Sequence, residues 1–138
     1  MKKILTFCLV TLVAIGCTKA QNSKPATAAI MTTDFIESVK KETSTMITAD
    51  YSIKLWYMSD LSAEGKLISP KIWRQVNEND INYNDLVVNL RKLLQQSPAW
   101  KSALDATGNP IQANVEFGII INKNEVTVTD KKWAGMIP

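Results

Sequence analysis

The sequence predicts an α+β fold, mainly helical, in which about four helices precede a C-terminal antiparallel β-hairpin. Three features point to it. Residues 34–64 contain neither Gly nor Pro. Cap-like residues stand ahead of apolar positions at helical spacing at several further points. From Val115 onward the apolar period changes from helical to two.

The first helix is expected to begin at Asp34, with Asp34 as N-cap and Glu37 at the position that bonds back. Phe35, Val39, Met46, Ile53 and Tyr57 fall near one stripe, which predicts a long helix ending by Gly65. A second reading stays open. Tyr51, Ile53, Leu55 and Tyr57 alternate with Ser52, Lys54 and Trp56, and Thr43, Thr45 and Thr48 are β-branched. That pattern places a break over residues 43–50 and a third strand over 51–57.

Ser69-Pro70 has the form of an N-cap followed by Pro at the first helical position, with Ile68 and Trp73 as a hydrophobic staple. A short helix over 70–76 follows from it. Asn82 then caps a third helix, with Asp85 in its first turn and Ile81 and Leu86 as staple. Leu86, Leu90 and Leu93, flanked by Val87 and Leu94, form its apolar stripe. Ser97-Pro98 repeats the cap-plus-proline pattern ahead of Trp100, Ala103 and Leu104, with Gly108 as the helix stop. Val115, Phe117, Ile119 and Ile121 alternate with their neighbours, Asn122-Lys123-Asn124 turns the chain, and Val126 and Val128 resume the alternation. This is the hairpin.

The N-terminus has a separate character. Lys2 and Lys3 precede an apolar run, residues 4–15, too short to span a hydrocarbon core of ~30 Å as a helix. The run ends in Ala14-Ile15-Gly16-Cys17. This resembles the lipobox of bacterial lipoproteins, with a small residue directly before the cysteine. Ala14 departs from the Leu that the family prefers. The resemblance implies that residues 1–16 are a signal peptide, that diacylglyceryl is transferred to Cys17, and that Cys17 becomes the acylated N-terminus. Thr18 is not the Asp that favours inner-membrane retention in the enterobacterial family, so the implied address is the outer membrane, facing the periplasm. Ordinary cleavage after Ala20 is the competing reading. Residues 17–33 are small and polar around Pro25 and are expected to be a lipidated tether, with a single globular domain over 34–138.

Of the 16 basic residues, two lie in the leader, so the remaining chain is close to balance against 13 acids. Its basic pairs form no run, and no nucleic-acid partner is expected. The chain has no histidine, and its two cysteines are Cys8 in the leader and Cys17. The folded domain therefore has no thiol or imidazole. That excludes Ser-His-Asp and Cys-His catalysis and His/Cys zinc or haem sites in it. Asp80-x-Asn82-x-Asn84 matches the opening of an EF-hand loop, but Asp85 stands where Gly belongs and Arg91 where the bidentate Glu belongs. No metal or cofactor is expected.

Carboxylates are the remaining acid–base groups. Glu78, Asp80 and Glu116 are the candidates for a hydrolase acting on envelope glycans, which needs two carboxyls ~5–9.5 Å apart. Trp56, Trp73, Trp100 and Trp133 are many tryptophans for this length. Trp73 and Trp100 beside helix starts are assigned to the core. Trp133, in the tail after the last strand, either tucks onto the core or serves as an aromatic anchor for a partner. The leading expectation is a non-catalytic, protein-binding lipoprotein of inhibitor, immunity or assembly type, attached to the membrane through Cys17 and holding a protein of the envelope. No catalytic residue is assigned on this reading. The alternatives are the carboxylate hydrolase and a structural or ligand-carrying lipoprotein.

Overall fold

The computed structural model describes residues 25–130. Its elements are α1 (Thr33–Met46), β1 (Ser52–Leu61), β2 (Leu67–Asn77), α2 (Asn84–Gln96), β3 (Ala103–Leu104), β4 (Pro110–Ile111), β5 (Ala113–Asn122) and β6 (Glu125–Thr129). Strands β2, β1, β5 and β6 form one sheet in that order, antiparallel throughout, and β3 and β4 form a small second pair.

Residues directly paired across an antiparallel sheet share a face. Ile53, Leu55, Tyr57 and Leu61 of β1 therefore line up with Ile121, Ile119, Phe117 and Ala113 of β5. Val126 and Val128 of β6 extend this surface. Both helices lie on it. Phe35 and Val39 of α1 and Leu86, Leu90 and Leu94 of α2 are buried in the same core. Phe35, Trp100 and Phe117 meet edge-to-face with centroids 5.3–5.8 Å apart, and Tyr57 stacks on Phe117 at 5.3 Å. Each such pair contributes about 0.5–1.5 kcal/mol beyond its buried area.

This architecture corrects the mainly helical expectation: two helices, and not four, stand among the described residues, and the main sheet dominates them. The first helix stops at Met46, and the strand alternative near 51–57 is β1. Ser44 and Thr45 donate their hydroxyls back to the carbonyls of Lys40 and Glu42, a local competition that weakens the last turn. The N-cap is Thr32, whose hydroxyl accepts from the Phe35 N–H at 3.3 Å, and Asp34 lies in the first turn.

The expected helix over 70–76 is strand β2. Its half-buried Ile72, Arg74 and Val76 alternate with exposed neighbours. Gly65, at φ +82, closes the turn from β1, and a Cβ there would come within 2.0 Å of the Trp100 carbonyl oxygen. Ser69 sits at φ 54 and Pro70 in a register irregularity, where the missing N–H breaks no ladder bond. The third helix forms as α2, but its N-cap is Tyr83, which makes no side-chain cap bond; Asn82, expected as the cap, stands one residue earlier and accepts from the Asn84 N–H at 2.9 Å. The fourth helix is absent. Ser97 ends α2, and the Trp100 N–H bonds to the Gly65 carbonyl at 2.8 Å, so the chain runs extended into β3. Gly108 serves the β3–β4 turn, and not a helix stop. Asp105 accepts there from Thr107 and Asn109, which lowers its carboxyl pKa. The predicted hairpin is present as β5 and β6.

The segment assigned to the tether joins the domain earlier than expected. Ala26 and Thr27 donate to Leu104, Ile30 exchanges bonds with Lys101, and Met31 is part of the core.

Candidate functional site

The second face of the main sheet carries the even positions of β1. Lys54 lies in a row with Val76 and Ile120, Trp56 with Arg74 and Gly118, Met58 with Lys71 and Glu116, and Asp60 with Ile68 and Asn114. Both helices are on the other face, so this one has no helical layer among the described residues.

The edge strand β2 breaks register twice against this face, between Trp56 and Tyr57 and between Met58 and Asp60. The first break leaves Trp73 without a partner on β1, and its side chain is 44% exposed. The second falls at Ser69-Pro70. Ser59, opposite it, donates to the carbonyl of Ile68 at 2.9 Å and sits 2.8 Å from that of Asp60, which satisfies backbone that the irregularity leaves open. Between the two breaks lies a groove of about 600 Å³ bounded by Met58, Asp60, Ile68, Lys71, Trp73 and Asn114. Met58 is 51% and Ile68 43% exposed. Three of the five large apolar side chains exposed among the described residues thus border one groove. Trp73 was expected in the core, and the bulge is the reason it is outside.

Beside the groove the face is closed more tightly. The Trp56 ring packs closely against Gly118. A Cβ on Gly118 would meet three of its ring carbons at 2.7–2.9 Å, and Trp56 is only 5% exposed. Only glycine permits that approach.

The carboxylates nominated from sequence do not assemble. Glu78 accepts from Lys54 Nζ and from Ser52 Oγ, both at 2.6 Å, and these two bonds lower its pKa. It stands level with Ser52, which pairs with Asn122. Glu116 is six positions away along β5, about 20 Å at ~3.4 Å per residue. Asp80 is exposed in the β2–α2 connection. The two carboxylates that the sheet brings close together on the second face are Asp60 and Glu116, diagonal neighbours across β1 and β5. Asp60, Met58 and Ile68 were missed as site residues. The alternation over 51–57, extended to residue 60, is the signal that would have found the first two.

Among the described residues no group of three His, Cys, Asp or Glu side chains is placed to hold a metal. No described helix is long and apolar enough to cross a membrane. Cys17 and Trp133, the nominated lipid-bearing and partner-binding residues, lie outside the described residues. Among the described residues, β5 of the 115–128 hairpin is enclosed between β1 and β6, and β6 is the outer strand. Comparison with protein-family models, with curated proteins and with solved structures returned no match.

Proposed function

We propose that this chain is a non-catalytic protein-binding module of the bacterial envelope, carried on the outer membrane by lipid on Cys17. The observation that carries the reading is the groove on the second face, where Met58, Ile68 and Trp73 stand exposed around a rim of Asp60, Lys71 and Asn114. Apolar anchors ringed by polar groups of both charges are the make-up of a protein–protein contact, in which Trp and Met are enriched. An unbroken β2 edge would invite indiscriminate strand pairing. Pro70 and the two register breaks blunt it, leaving side-chain contact as the basis of selectivity. The partner that fits is a folded protein presenting one or two protruding apolar side chains.

The address rests on the Lys2-Lys3, apolar run and Ala14-Ile15-Gly16-Cys17 succession. The binding reading also draws on the lack of histidine and of thiol in the mature chain, which leaves little for covalent or imidazole chemistry.

The test places photoreactive side chains at Met58, Ile68 and Trp73, and at Val88 on α2, which is as exposed at 53% but distant from the groove. The expected result is one protein adduct, formed in intact envelopes, from the three groove positions and not from Val88. Trp73→Ala should weaken that complex and leave stability within ~0.5 kcal/mol, as for an exposed position. Equal labelling from Val88, or none from the groove, refutes the reading.

One observation favours the hydrolase alternative. The backbone positions of diagonal neighbours such as Asp60 and Glu116 lie ~7–8 Å apart, close enough for two carboxyls on one face to flank a shared substrate. Turnover of an envelope glycan by the purified protein, abolished by Asp60→Asn or Glu116→Gln, would establish that reading in place of binding.

A further inference from the structure

The charges around the groove are divided unevenly. Two rows of the sheet border it: Lys71, Met58 and Glu116 across β2, β1 and β5, then Ile68, Asp60 and Asn114. Residues two apart on one strand point to the same face, so Met58 and Asp60 stand side by side. Glu116 is paired with Met58 and diagonal to Asp60. The apolar side chains Met58, Ile68 and Trp73 thus have two carboxylates towards β5 and the Lys71 ammonium towards β2.

The fold does not use these two carboxylates. Glu78 is held by Lys54 and Ser52, and Asp105 by Thr107 and Asn109. Among the described residues the Asp60 and Glu116 carboxylates make no ion pair and accept no hydrogen bond, and Lys71 makes no ion pair. The cations nearest along the face do not serve them. Lys54 is engaged by Glu78, and Arg74 lies one row on and two strands from Glu116. Two neighbouring carboxylates without a counter-ion both attract the same positive charge. Complementary charge of this kind sets which partner an apolar groove accepts.

We propose that the groove takes an extended segment of a partner protein that carries an apolar side chain and, two residues from it, a basic one. The apolar side chain seats on Met58 beside Ile68 and Trp73, and the cation lies between Asp60 and Glu116. The spacing follows from β1 itself: residues two apart in an extended chain share a face ~6.8 Å apart, as Met58 and Asp60 do. The direction of the segment is also set. Reversed, its cation would stand over the Trp56 row, where the charged residue is Arg74. Lys71 disfavours a second cation on the β2 side. This inference rests on the binding role proposed above and specifies the chemistry of the partner.

The test titrates three capped tripeptides, leucine-serine-arginine and its glutamine and glutamate counterparts, into the full chain in mild detergent. Methyl signals of Met58 and Ile68, assigned by single substitutions, report binding. At low salt the arginine peptide should shift both signals with an affinity about two- to fivefold above that of the glutamine peptide. The glutamate peptide should bind more weakly than either. The preference should shrink at about 0.5 M salt and vanish in the Asp60→Asn, Glu116→Gln double variant. Glu125→Gln, which removes an exposed charge at the β5–β6 turn, should retain it. Equal affinities for the arginine and glutamine peptides, or a preference that survives in the double variant, overturn the proposal and leave groove binding in place. If the double variant does not fold, the ranking of the three peptides and its salt dependence in the wild-type chain decide. Groove signals that move on dilution of the protein alone assign the groove to a second copy, which overturns the proposal. Peptides that move neither signal also overturn it, whereas the groove-binding reading stands or falls separately on the crosslinks in intact envelopes.

Discussion

Gly118→Ala perturbs the close approach of the Trp56 ring to the backbone of β5. The new Cβ would stand 2.7 Å from one ring carbon of Trp56 and 2.9 Å from two others. Ordinary carbon–carbon contact is ~3.5–4.0 Å, so the ring must lift by about 1 Å from a site where it is 5% exposed. Overpacking of this kind costs ~1–3 kcal/mol. Replacing glycine within a strand returns ~0.5–1 kcal/mol of backbone entropy, because no left-handed φ is required at this position. The net expectation is a loss of about 0–2.5 kcal/mol. In a Trp56→Ala background the collision is gone, and Gly118→Ala should stabilise by ~0.5–1 kcal/mol. The sign of the substitution thus reverses between backgrounds, with a coupling of ~1–3 kcal/mol in the double-mutant cycle. Urea unfolding of the four chains, with linear extrapolation at an unchanged slope, measures it. A Gly118→Ala effect that is the same in both backgrounds refutes the argument that the Trp56 ring requires this glycine.

Three further outcomes follow from the same structure. Leu90 is fully buried on α2, so Leu90→Ala should lower unfolding free energy by ~2–5 kcal/mol; a loss under ~0.5 kcal/mol would remove that stripe from the core. The Tyr57 hydroxyl is buried with no hydrogen-bond partner among the described residues, and Tyr57→Phe should be neutral or stabilising by ~1 kcal/mol. Burial raises the Tyr57 pKa far above 10.0, against a weaker opposing pull from Arg91. The unfolded tyrosine loses its proton near pH 10.0 and the folded one does not, so stability is full below that pH and falls as pH rises beyond it. Alkaline unfolding curves should show a shallower fall for Tyr57→Phe, and an identical fall would count against the assignment. Cys17→Ser should abolish incorporation of radioactive palmitate and cleavage before residue 17; an unlabelled wild-type chain that begins at Gln21 would replace lipidation with ordinary export.

The sequence by itself determined what depends on neighbours along the chain. The proposal of a leader ending at Cys17 rests on 17 consecutive residues alone. The lack of histidine and of a domain thiol is a matter of composition. Helix α2 was legible because Leu86, Leu90 and Leu93, flanked by Val87 and Leu94, repeat at the helical period, although the fully buried trio is Leu86, Leu90 and Leu94. The β5–β6 hairpin was legible because its alternation is strict and its turn is local. Tertiary structure decided the rest. Ser69-Pro70 and Ser97-Pro98 are sound local helix starts, and in both places a distant partner prevails. The first is captured by β1 in the sheet. The second is drawn extended by the Trp100–Gly65 bond and the packing of Trp100 on Phe35 and Phe117. A cap contributes ~1 kcal/mol, whereas burying one large aromatic or a run of ladder partners contributes several times that. The groove was illegible for a related reason. It exists because β2 slips register twice against β1, and register belongs to the pairing of two strands, not to the residue pattern of either.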